Sequence, residues 1–248
     1  MRTMTTTILA IVTCVAAATT LSASTVTFAT PTVSTDSVGD PVKASALFTT
    51  GANSVTIDLS NLLSSATFKD AGQLLSDLFF TLSGTQNGSG IGVTSSTATF
   101  VNVDKKGKAT TTTGTPQSGN ANDVIGWVFS FATGSFHLNG LAGGSSANPA
   151  QEILGGNVGD TSYPSANGSI GANGPHNPFV QGTGHWVLNI PGVTSGTTIT
   201  SAIFSFGTTS GDNVNGVPAV PEPRYTVFLS AGIFALALFY YRRRIAIS

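Results

Sequence analysis

Short hydrophobic segments that alternate with polar residues run through the middle of the chain. In residues 54–59, Val55, Ile57 and Leu59 fall on one face at a period of two. The same pattern occurs in residues 25–30, 96–104, 185–190 and 198–206. Period-two alternation is typical of half-buried β-strands. Residues 123–133 form the most apolar of these segments, and about ten short strands are predicted in all.

Glycine, asparagine and proline separate the predicted strands and mark turns. Residues 104–108 predict a hairpin turn, residues 61–80 fit either a short helix or two strands, and residues 139–178 predict a long loop. Many short strands with turn signals favour a β-sandwich or barrel. The sequence therefore predicts an all-β ectodomain over residues 24–210, a single β-sandwich of jelly-roll kind, followed by a polar linker over residues 211–219.

The chain begins with the pattern of an export signal. Residues 8–18 are apolar, Arg2 is the only charged residue before Asp36, and small residues follow the apolar run. This order is typical of a secretory signal peptide, predicted over residues 1–23, and it implies the Sec translocon as a partner. Cys14, the only cysteine, lies inside this signal, so the mature domain is expected to contain neither thiol nor disulfide.

A second apolar segment lies at the other end of the chain. Residues 225–241 carry no charge and would form a helix about 25 Å long, at the short end of what spans a bilayer. Arg242, Arg243 and Arg244 follow directly and supply the positive charge that stays on the cytoplasmic side. Both ends thus predict one topology, with the domain outside and one C-terminal transmembrane helix.

Val220, Pro221, Glu222 and Pro223 stand just before this helix. The order of motif, apolar span and arginines over residues 220–244 resembles the PEP-CTERM sorting signal of exported bacterial proteins. The resemblance implies that an exosortase recognises Pro221, Glu222 and Pro223, and that the tail is either cleaved or retained. The protein would be anchored in the inner membrane before processing and would then reach the cell surface or the extracellular matrix.

The same tail also bears the name of an ice-binding protein C-terminal domain. That name does not extend to the ectodomain, because ice binding requires a flat, regular array of threonines and residues 110–113 form an isolated cluster. The ectodomain itself resembles other tailed proteins of unassigned activity.

The charge of the ectodomain differs from that of the whole chain. Residues 30–217 contain five lysines, no arginine and ten acidic residues, a net charge of −5, whereas the whole chain sums to −1. Nucleic-acid binding depends on clustered arginine and lysine. We therefore expect no nucleic-acid partner.

The residue types that carry catalysis are sparse and scattered. The three histidines, His137, His176 and His185, have no metal-binding spacing, and His185 is expected to face solvent beside an apolar strand face. Glu152 is the only glutamate of the ectodomain, and a glycosidase would need a second carboxylate near it. We expect no enzyme, no catalytic residue, no cofactor and no metal site, although turn aspartates such as Asp160 and Asp212 could offer oxygens to a weak calcium site.

Sugar binding has the clearest physical basis among the remaining functions, because sugars stack on exposed aromatic rings. Tyr163 is expected to be exposed in the long loop, and Trp186 is the second candidate contact, although a position in the core is favoured for it. The sequence thus predicts a structural or adhesive surface protein linked to exopolysaccharide. A carbohydrate-binding module is the alternative, and a secreted hydrolase is less favoured.

Overall fold

The described part of the protein contains thirteen β-strands and one three-residue 3-10 helix, joined by turns and loops. The computed structural model describes residues 23–84, 86, 88–114, 119–141, 151–208 and 212–219. The strands are β1 Ser24–Ala29, β2 Ala44–Gly51, β3 Ser54–Asn61, β4 Leu75–Leu82, β5 Gly92–Val103, β6 Ala109–Thr112, β7 Val128–Ala132, β8 Ser135–Asn139, β9 Ile153–Leu154, β10 Phe179–Asn189, β11 Ile199–Phe206, β12 Asp212–Asn215 and β13 Val217–Pro218, and the helix is Ala71–Gln73. The all-β prediction is confirmed.

All strands belong to one hydrogen-bonded network, in the order β12-β11-β4-β9-β10-β3-β2-β1-β13. β5 and β6 continue from β10, while β8 and β7 continue from β4. The pairs between strands are antiparallel except for β9 with β10. The two-residue strand β9 therefore joins two wide stretches of sheet, one built around β10 and one built around β4.

Side chains from these two stretches meet in a common core. Val55, Ile57 and Leu59 are fully buried, as their alternation predicts. The ring of Phe48 on β2 lies 5.3 Å from the ring of Phe80 on β4, so strands from different stretches pack face to face. Dense burial of this kind is the main favourable term in folding.

The predicted hairpin turn at residues 104–108 is confirmed and connects β5 to β6. Asp104 Oδ1 accepts hydrogen bonds from the backbone N–H groups of Lys106 at 2.8 Å and Lys108 at 2.9 Å. These bonds, the one from Lys108 first, lower the pKa of the Asp104 carboxyl. An aspartate that bonds to the backbone two residues further on is a common turn device.

The described part of the predicted long loop over residues 139–178 is mostly turns and coil, but it contains a short strand and buried side chains. In the described part, residues 151–178 include β9, and Ile153, Leu154 and Ile170 are buried. Leu154 and Ile170 join Phe68 and Phe179 in a second, smaller hydrophobic cluster, whereas Ile153 belongs to the main core. The local sequence pattern does not predict these contacts, because the apolar residues are sparse and separated by glycines. They pack against strands that are distant along the chain.

Two strand predictions need smaller corrections. Residues 61–80 hold both a helix and a strand, since the 3-10 helix Ala71–Gln73 precedes β4. The apolar segment 123–133 becomes a strand only at Val128. Before it, Asp123 Oδ1 accepts hydrogen bonds from Ser96 Oγ at 2.6 Å and from the Gly126 N–H at 3.0 Å. These bonds hold a tight turn in place of an extended strand.

The predicted polar linker over residues 211–219 is wrong for its described part. Residues 212–215 pair with β11 as β12, and β13 pairs with β1. The Ala219 N–H also donates to Thr27 O at 2.8 Å. Polar sequence suits these strands because both lie at the ends of the strand order and are largely solvent-exposed.

Both chain ends lie largely outside the described residues. This applies to the predicted signal peptide apart from residue 23, to the sorting motif Val220–Pro223, to the helix 225–241 and to the terminal arginines. Within the ranges given above, the structure contains no helix that is both long and apolar enough to cross a membrane.

Candidate functional site

The outer side of five adjacent strands carries mostly serine and threonine side chains. Strands β1, β2, β3, β10 and β5 lie side by side. Since side chains alternate along a strand, the residues between the buried ones point away from the core. We call this set the hydroxyl face, and it contains Thr25, Thr27, Ser45, Leu47, Thr49, Thr56, Asp58, Ser60, Ser95, Thr97, Thr183, His185 and Val187.

The register of the strands arranges the hydroxyl face in rows. One row contains Thr25, Thr49, Thr56, Val187 and Ser95, and the next contains Thr27, Leu47, Asp58, His185 and Thr97. Neighbouring strands are about 4.8 Å apart, so a row of five extends about 19 Å. No phenylalanine, tyrosine or tryptophan of the described part points outward from these five strands.

A histidine–aspartate pair occupies the middle of the hydroxyl face. His185 Nδ1 lies 2.6 Å from Asp58 Oδ1, and the two side chains are 40% and 43% exposed. They stand directly opposite each other on β10 and β3. The sequence correctly predicts that His185 faces solvent, but it does not reveal that His185 meets Asp58. As a partly exposed pair, they fix the position of two polar groups more than they stabilise the fold.

A cleft of about 280 Å³ opens at one edge of this face. Ser60 Oγ and Thr183 Oγ1, 2.8 Å apart, lie at its border with the hydroxyl face. Asn157 contributes a polar group to the opposite wall, while Leu62 and Val158 add exposed aliphatic surface. The cleft thus combines hydroxyl and amide groups with apolar carbon, a mixture that suits a polyhydroxylated ligand.

Close backbone packing forms one wall of this cleft. Gly182 on β10 has a φ of 73° and lies at an irregularity in the pairing with β5. A methyl group on Gly182 would lie only 2.6 Å from the carbonyl oxygen of Gly156. Glycine at this position therefore satisfies both the left-handed backbone and the approach of the segment that carries Asn157 and Val158.

The prediction that Tyr163 is exposed for sugar contact is wrong. Its side chain is 0% exposed, its ring packs edge-on against Phe68, and its hydroxyl donates to Gly155 O at 2.8 Å. Gln181 Nε2 donates to the same hydroxyl at 3.1 Å. Burial raises the pKa of the Tyr163 phenol to about 12. A proline-flanked tyrosine in a polar segment here fills the second cluster instead of the surface.

Trp186, the other candidate glycan contact, is also fully buried. Its ring lies 5.0 Å from the ring of Trp127 in the main core. Its indole N–H is buried with no hydrogen-bond partner among the described residues. The position in the core that the strand alternation favours for Trp186 is confirmed, and as a sugar contact Trp186 is ruled out in this arrangement.

Glu152 pairs with a histidine instead of a second carboxylate. His176 Nδ1 lies 2.9 Å from Glu152 Oε2, and the glutamate side chain is 0% exposed. Burial raises the pKa of Glu152 despite the opposing effect of His176, and Asp77 nearby raises it further. A carboxylate enclosed in this way lies out of reach of a substrate, so the pair does not provide the two cleft-facing carboxylates of a glycosidase.

The three histidines each meet a different carboxylate. His137 Nε2 lies 3.6 Å from Asp77 Oδ1, and its ring stacks on Phe79 at 3.7 Å. His176 and His185 pair with Glu152 and Asp58. The described structure therefore does not bring the histidines together as ligands of one metal. The carboxylate of Asp160 was a candidate source of calcium ligands. In the structure it stabilises a turn instead, because Asp160 Oδ2 accepts a hydrogen bond from the Asn157 N–H at 2.9 Å.

Sequence reasoning missed the residues that shape the site. Leu62, Val158, Ser60 and Thr183 form the cleft only because β3 pairs with β10, more than 120 residues away along the chain. The available signal was the alternation itself, which places hydroxyl residues at most outward positions of these strands. The sorting motif Val220–Pro223 and Arg242, Arg243 and Arg244 lie outside the described residues.

Comparisons with protein-family models, with curated proteins and with solved structures found no match to this chain.

Proposed function

We propose that this protein is an exported bacterial surface protein whose β-domain adheres to exopolysaccharide through the hydroxyl face. A signal peptide over residues 1–23 directs it to the Sec translocon. An exosortase then recognises Pro221, Glu222 and Pro223. The protein is held in the inner membrane by the helix 225–241 before processing and afterwards acts at the cell surface or in the extracellular matrix.

The sequence order at the C-terminus supports the sorting step. Val220, Pro221, Glu222 and Pro223 precede an uncharged segment, and three arginines follow it. The described structure adds that the domain continues to Ala219, whose N–H bonds to β1. Only the motif and Arg224 then separate the domain from the predicted helix, which suits a short connection to a membrane.

The single observation that carries the adhesive role is the composition of the hydroxyl face. Its rows of serine and threonine contain one hydrogen-bonded pair, Asp58 with His185, and no outward phenylalanine, tyrosine or tryptophan in the described strands. Hydroxyl groups both donate and accept hydrogen bonds. A broad surface of this kind favours many weak contacts along a polymer over one tight contact with a single sugar ring.

The alternative, a carbohydrate-binding module, is supported by the cleft beside Ser60 and Thr183. It is large enough for a small ligand and combines polar and aliphatic groups. The aromatic stacking on which this alternative was based is missing, because Tyr163 and Trp186 are buried. For this reason we favour adhesion along the face over binding in the cleft.

The finer architecture that we propose is a β-sandwich of jelly-roll kind. It is supported by the ring contact between Phe48 and Phe80, which joins the stretch around β10 to the stretch around β4. In such a sandwich the hydroxyl face is the outer side of one sheet.

The sorting step is tested by deleting residues 220–248. The shortened protein should be secreted without processing and should be missing from the membrane fraction, whereas the full-length protein should be found there first and should shorten in cells that contain exosortase. Unchanged location and size after the deletion would refute sorting by this tail. The result does not bear on adhesion, which needs a separate experiment.

Adhesion is tested by removing hydroxyl groups without changing shape. Thr49 and Thr56 stand opposite each other on β2 and β3, and valine is nearly isosteric with threonine. Each lost hydrogen bond is worth about 1 kcal/mol, so losing two through Thr49→Val with Thr56→Val should weaken adsorption of the full-length protein to exopolysaccharide about thirtyfold.

The control is a second pair of neighbouring threonines away from the face. Thr81 and Thr200 lie on β4 and β11, with their hydroxyl oxygens 2.5 Å apart. Thr81→Val with Thr200→Val should leave adsorption unchanged. If the two double variants behave alike, the hydroxyl face is not the adhesive surface. If only substitutions at Leu62 and Val158 reduce binding, the cleft is the site and the alternative function holds.

A further inference from the structure

Three aspartates from two separate segments converge at one end of the domain. Asp36 and Asp40 belong to the connection between β1 and β2, and Asp70 precedes the 3-10 helix Ala71–Gln73. One carboxylate oxygen from each residue lies within 4.8 Å of the other two. Like charges at this separation repel one another unless a cation lies between them.

Asp36 is a buried carboxylate with one oxygen lacking a partner. The residue is only 7% exposed. Its Oδ1 accepts the N–H groups of Val38 at 3.1 Å and Asp40 at 2.8 Å, whereas its buried Oδ2 has no hydrogen-bond partner among the described residues. A buried carboxylate oxygen without a partner is unfavourable. This arrangement calls for a positively charged ligand at Oδ2.

Gly72 allows two of these carboxylates to approach the backbone closely. A methyl group on Gly72 would lie 2.7 Å from Asp36 Oδ2 and 3.1 Å from Asp70 Oδ1. The two oxygens therefore face the same small volume beside the glycine. Gly72 does not have a positive φ, so backbone conformation alone does not require glycine there.

The local positive charge is too small to neutralise the cluster. Lys69 Nζ lies 2.6 Å from Asp40 Oδ1, and its side chain is 53% exposed. The hydrogen bond to Asp40 is the main reason that the pKa of Lys69 is raised. Asp212 lies close by as well, since its Oδ2 accepts a hydrogen bond from Ser37 Oγ at 2.9 Å. One ammonium group thus faces a cluster of several carboxylates.

We propose that Asp36, Asp40 and Asp70 bind a calcium ion, which ties the β1–β2 connection to the 3-10 helix. Calcium accepts six to eight oxygen ligands in a flexible geometry, whereas magnesium demands a near-ideal octahedron and zinc prefers nitrogen and sulfur. Three carboxylates supply only part of that number, so backbone carbonyls and water complete the set. Sites of this kind in extracellular domains bind with dissociation constants of roughly 10⁻⁴ to 10⁻³ M.

Isothermal titration of the full-length protein with CaCl₂ tests the proposal. We expect saturable binding of about one ion in that concentration range, and a higher melting temperature in calcium than in EDTA. Asp36→Asn should weaken binding at least tenfold. Asp160→Asn makes the same chemical change at a turn aspartate outside the cluster, and it should leave calcium binding unchanged.

Two further variants keep the test decisive if Asp36→Asn fails to fold. Gly72→Ala retains all three carboxylates but fills the volume between them, so it should abolish binding. Lys69→Met removes the competing ammonium group and should strengthen binding severalfold. The proposal is overturned if the unaltered protein shows no saturable binding up to about 10 mM calcium, or if Gly72→Ala binds as well as the unaltered protein. Equal melting temperatures in calcium and EDTA would also overturn it.

Discussion

Individual polar residues in this domain have fixed positions in buried hydrogen bonds, and Tyr163 is the clearest case. Its hydroxyl donates to Gly155 O and accepts from Gln181 Nε2, and Gln181 Nε2 also donates to Asp160 O at 2.8 Å. The phenol thus links β10 to the segment after β9. A residue that looks like a surface aromatic in the sequence holds the second hydrophobic cluster together.

Tyr163→Phe should therefore destabilise the protein by about 1–2 kcal/mol at pH 9, because the Gly155 carbonyl and the Gln181 amide lose a buried partner. Burial raises the pKa of this phenol to about 12, whereas a phenol in the unfolded chain ionises near 10. Between these values the unfolded chain releases a proton that the folded protein keeps, so stability falls as the pH rises.

The unaltered protein should lose about 2 kcal/mol over this interval relative to Tyr163→Phe, at 1.36 kcal/mol per pKa unit. Urea unfolding of both proteins at pH 9 and pH 11.5 measures the difference. The difference in the free energy of unfolding between the unaltered protein and Tyr163→Phe should shrink or close at the higher pH. A gap that stays constant would show that Tyr163 does not titrate as a buried phenol.

Side-chain direction was predictable at the residue scale wherever a strand alternates. The outward position of His185 and the inward position of Trp186 both follow from the period-two pattern, and the structure confirms them. The partners were not predictable. Glu152 meets His176, and His185 meets Asp58, because the fold brings separate strands and turns together. A sequence shows the direction of a side chain before it shows what the side chain touches.

At the scale of an element, the pairing of the edge strands β12 and β13 was likewise not predictable from the sequence. Both are polar and short, and nothing in residues 212–218 distinguishes them from a flexible spacer. Their place in the sheet depends on β11 and β1, which offer unpaired backbone groups at their edges. Covering those edges protects them from pairing with another chain.

Gly216, between β12 and β13, allows a test of whether this segment belongs to the fold. A methyl group there would lie 2.9 Å from the ring of Phe204 and 3.1 Å from Ala202 O. The Gly216 N–H also donates to Ala202 O at 2.8 Å. Gly216→Val should therefore lower the free energy of unfolding by about 1–3 kcal/mol, as measured by urea denaturation.

The matched control is Gly174→Val, since a methyl group on Gly174 has no neighbour within 4 Å and this residue does not have a positive φ. That variant should unfold at nearly the same urea concentration as the unaltered protein. Equal stability of the Gly216 and Gly174 variants would restore the interpretation of residues 212–219 as a linker.

At the scale of the whole molecule, both termini of the domain lie at one edge. β1 begins at Ser24, and β13 pairs with it before the chain reaches Ala219. The predicted sorting tail would therefore leave the domain beside the first strand of the hydroxyl face.

For the proposed adhesion to polysaccharide, the distribution of charge predicts which kind of polymer should be preferred. Residues 30–217 carry a net charge of −5. Asp58 and His185 are the only titratable side chains of the hydroxyl face as defined above. Hydrogen bonds to a neutral polymer do not depend on ionic strength. An acidic polymer is repelled by the negative charge of the domain, and added salt screens this repulsion.

Adsorption of the full-length protein to a neutral polysaccharide should therefore change less than twofold between about 20 mM and 500 mM NaCl, where the Debye length falls from roughly 20 Å to 4 Å. Adsorption to a uronate-rich polymer of similar length should be weaker at low salt and should increase as salt is added. The opposite order, with tight binding to the acidic polymer that salt abolishes, would indicate recognition by the lysines of the β5–β6 turn. The hydroxyl face would then not be the contact surface.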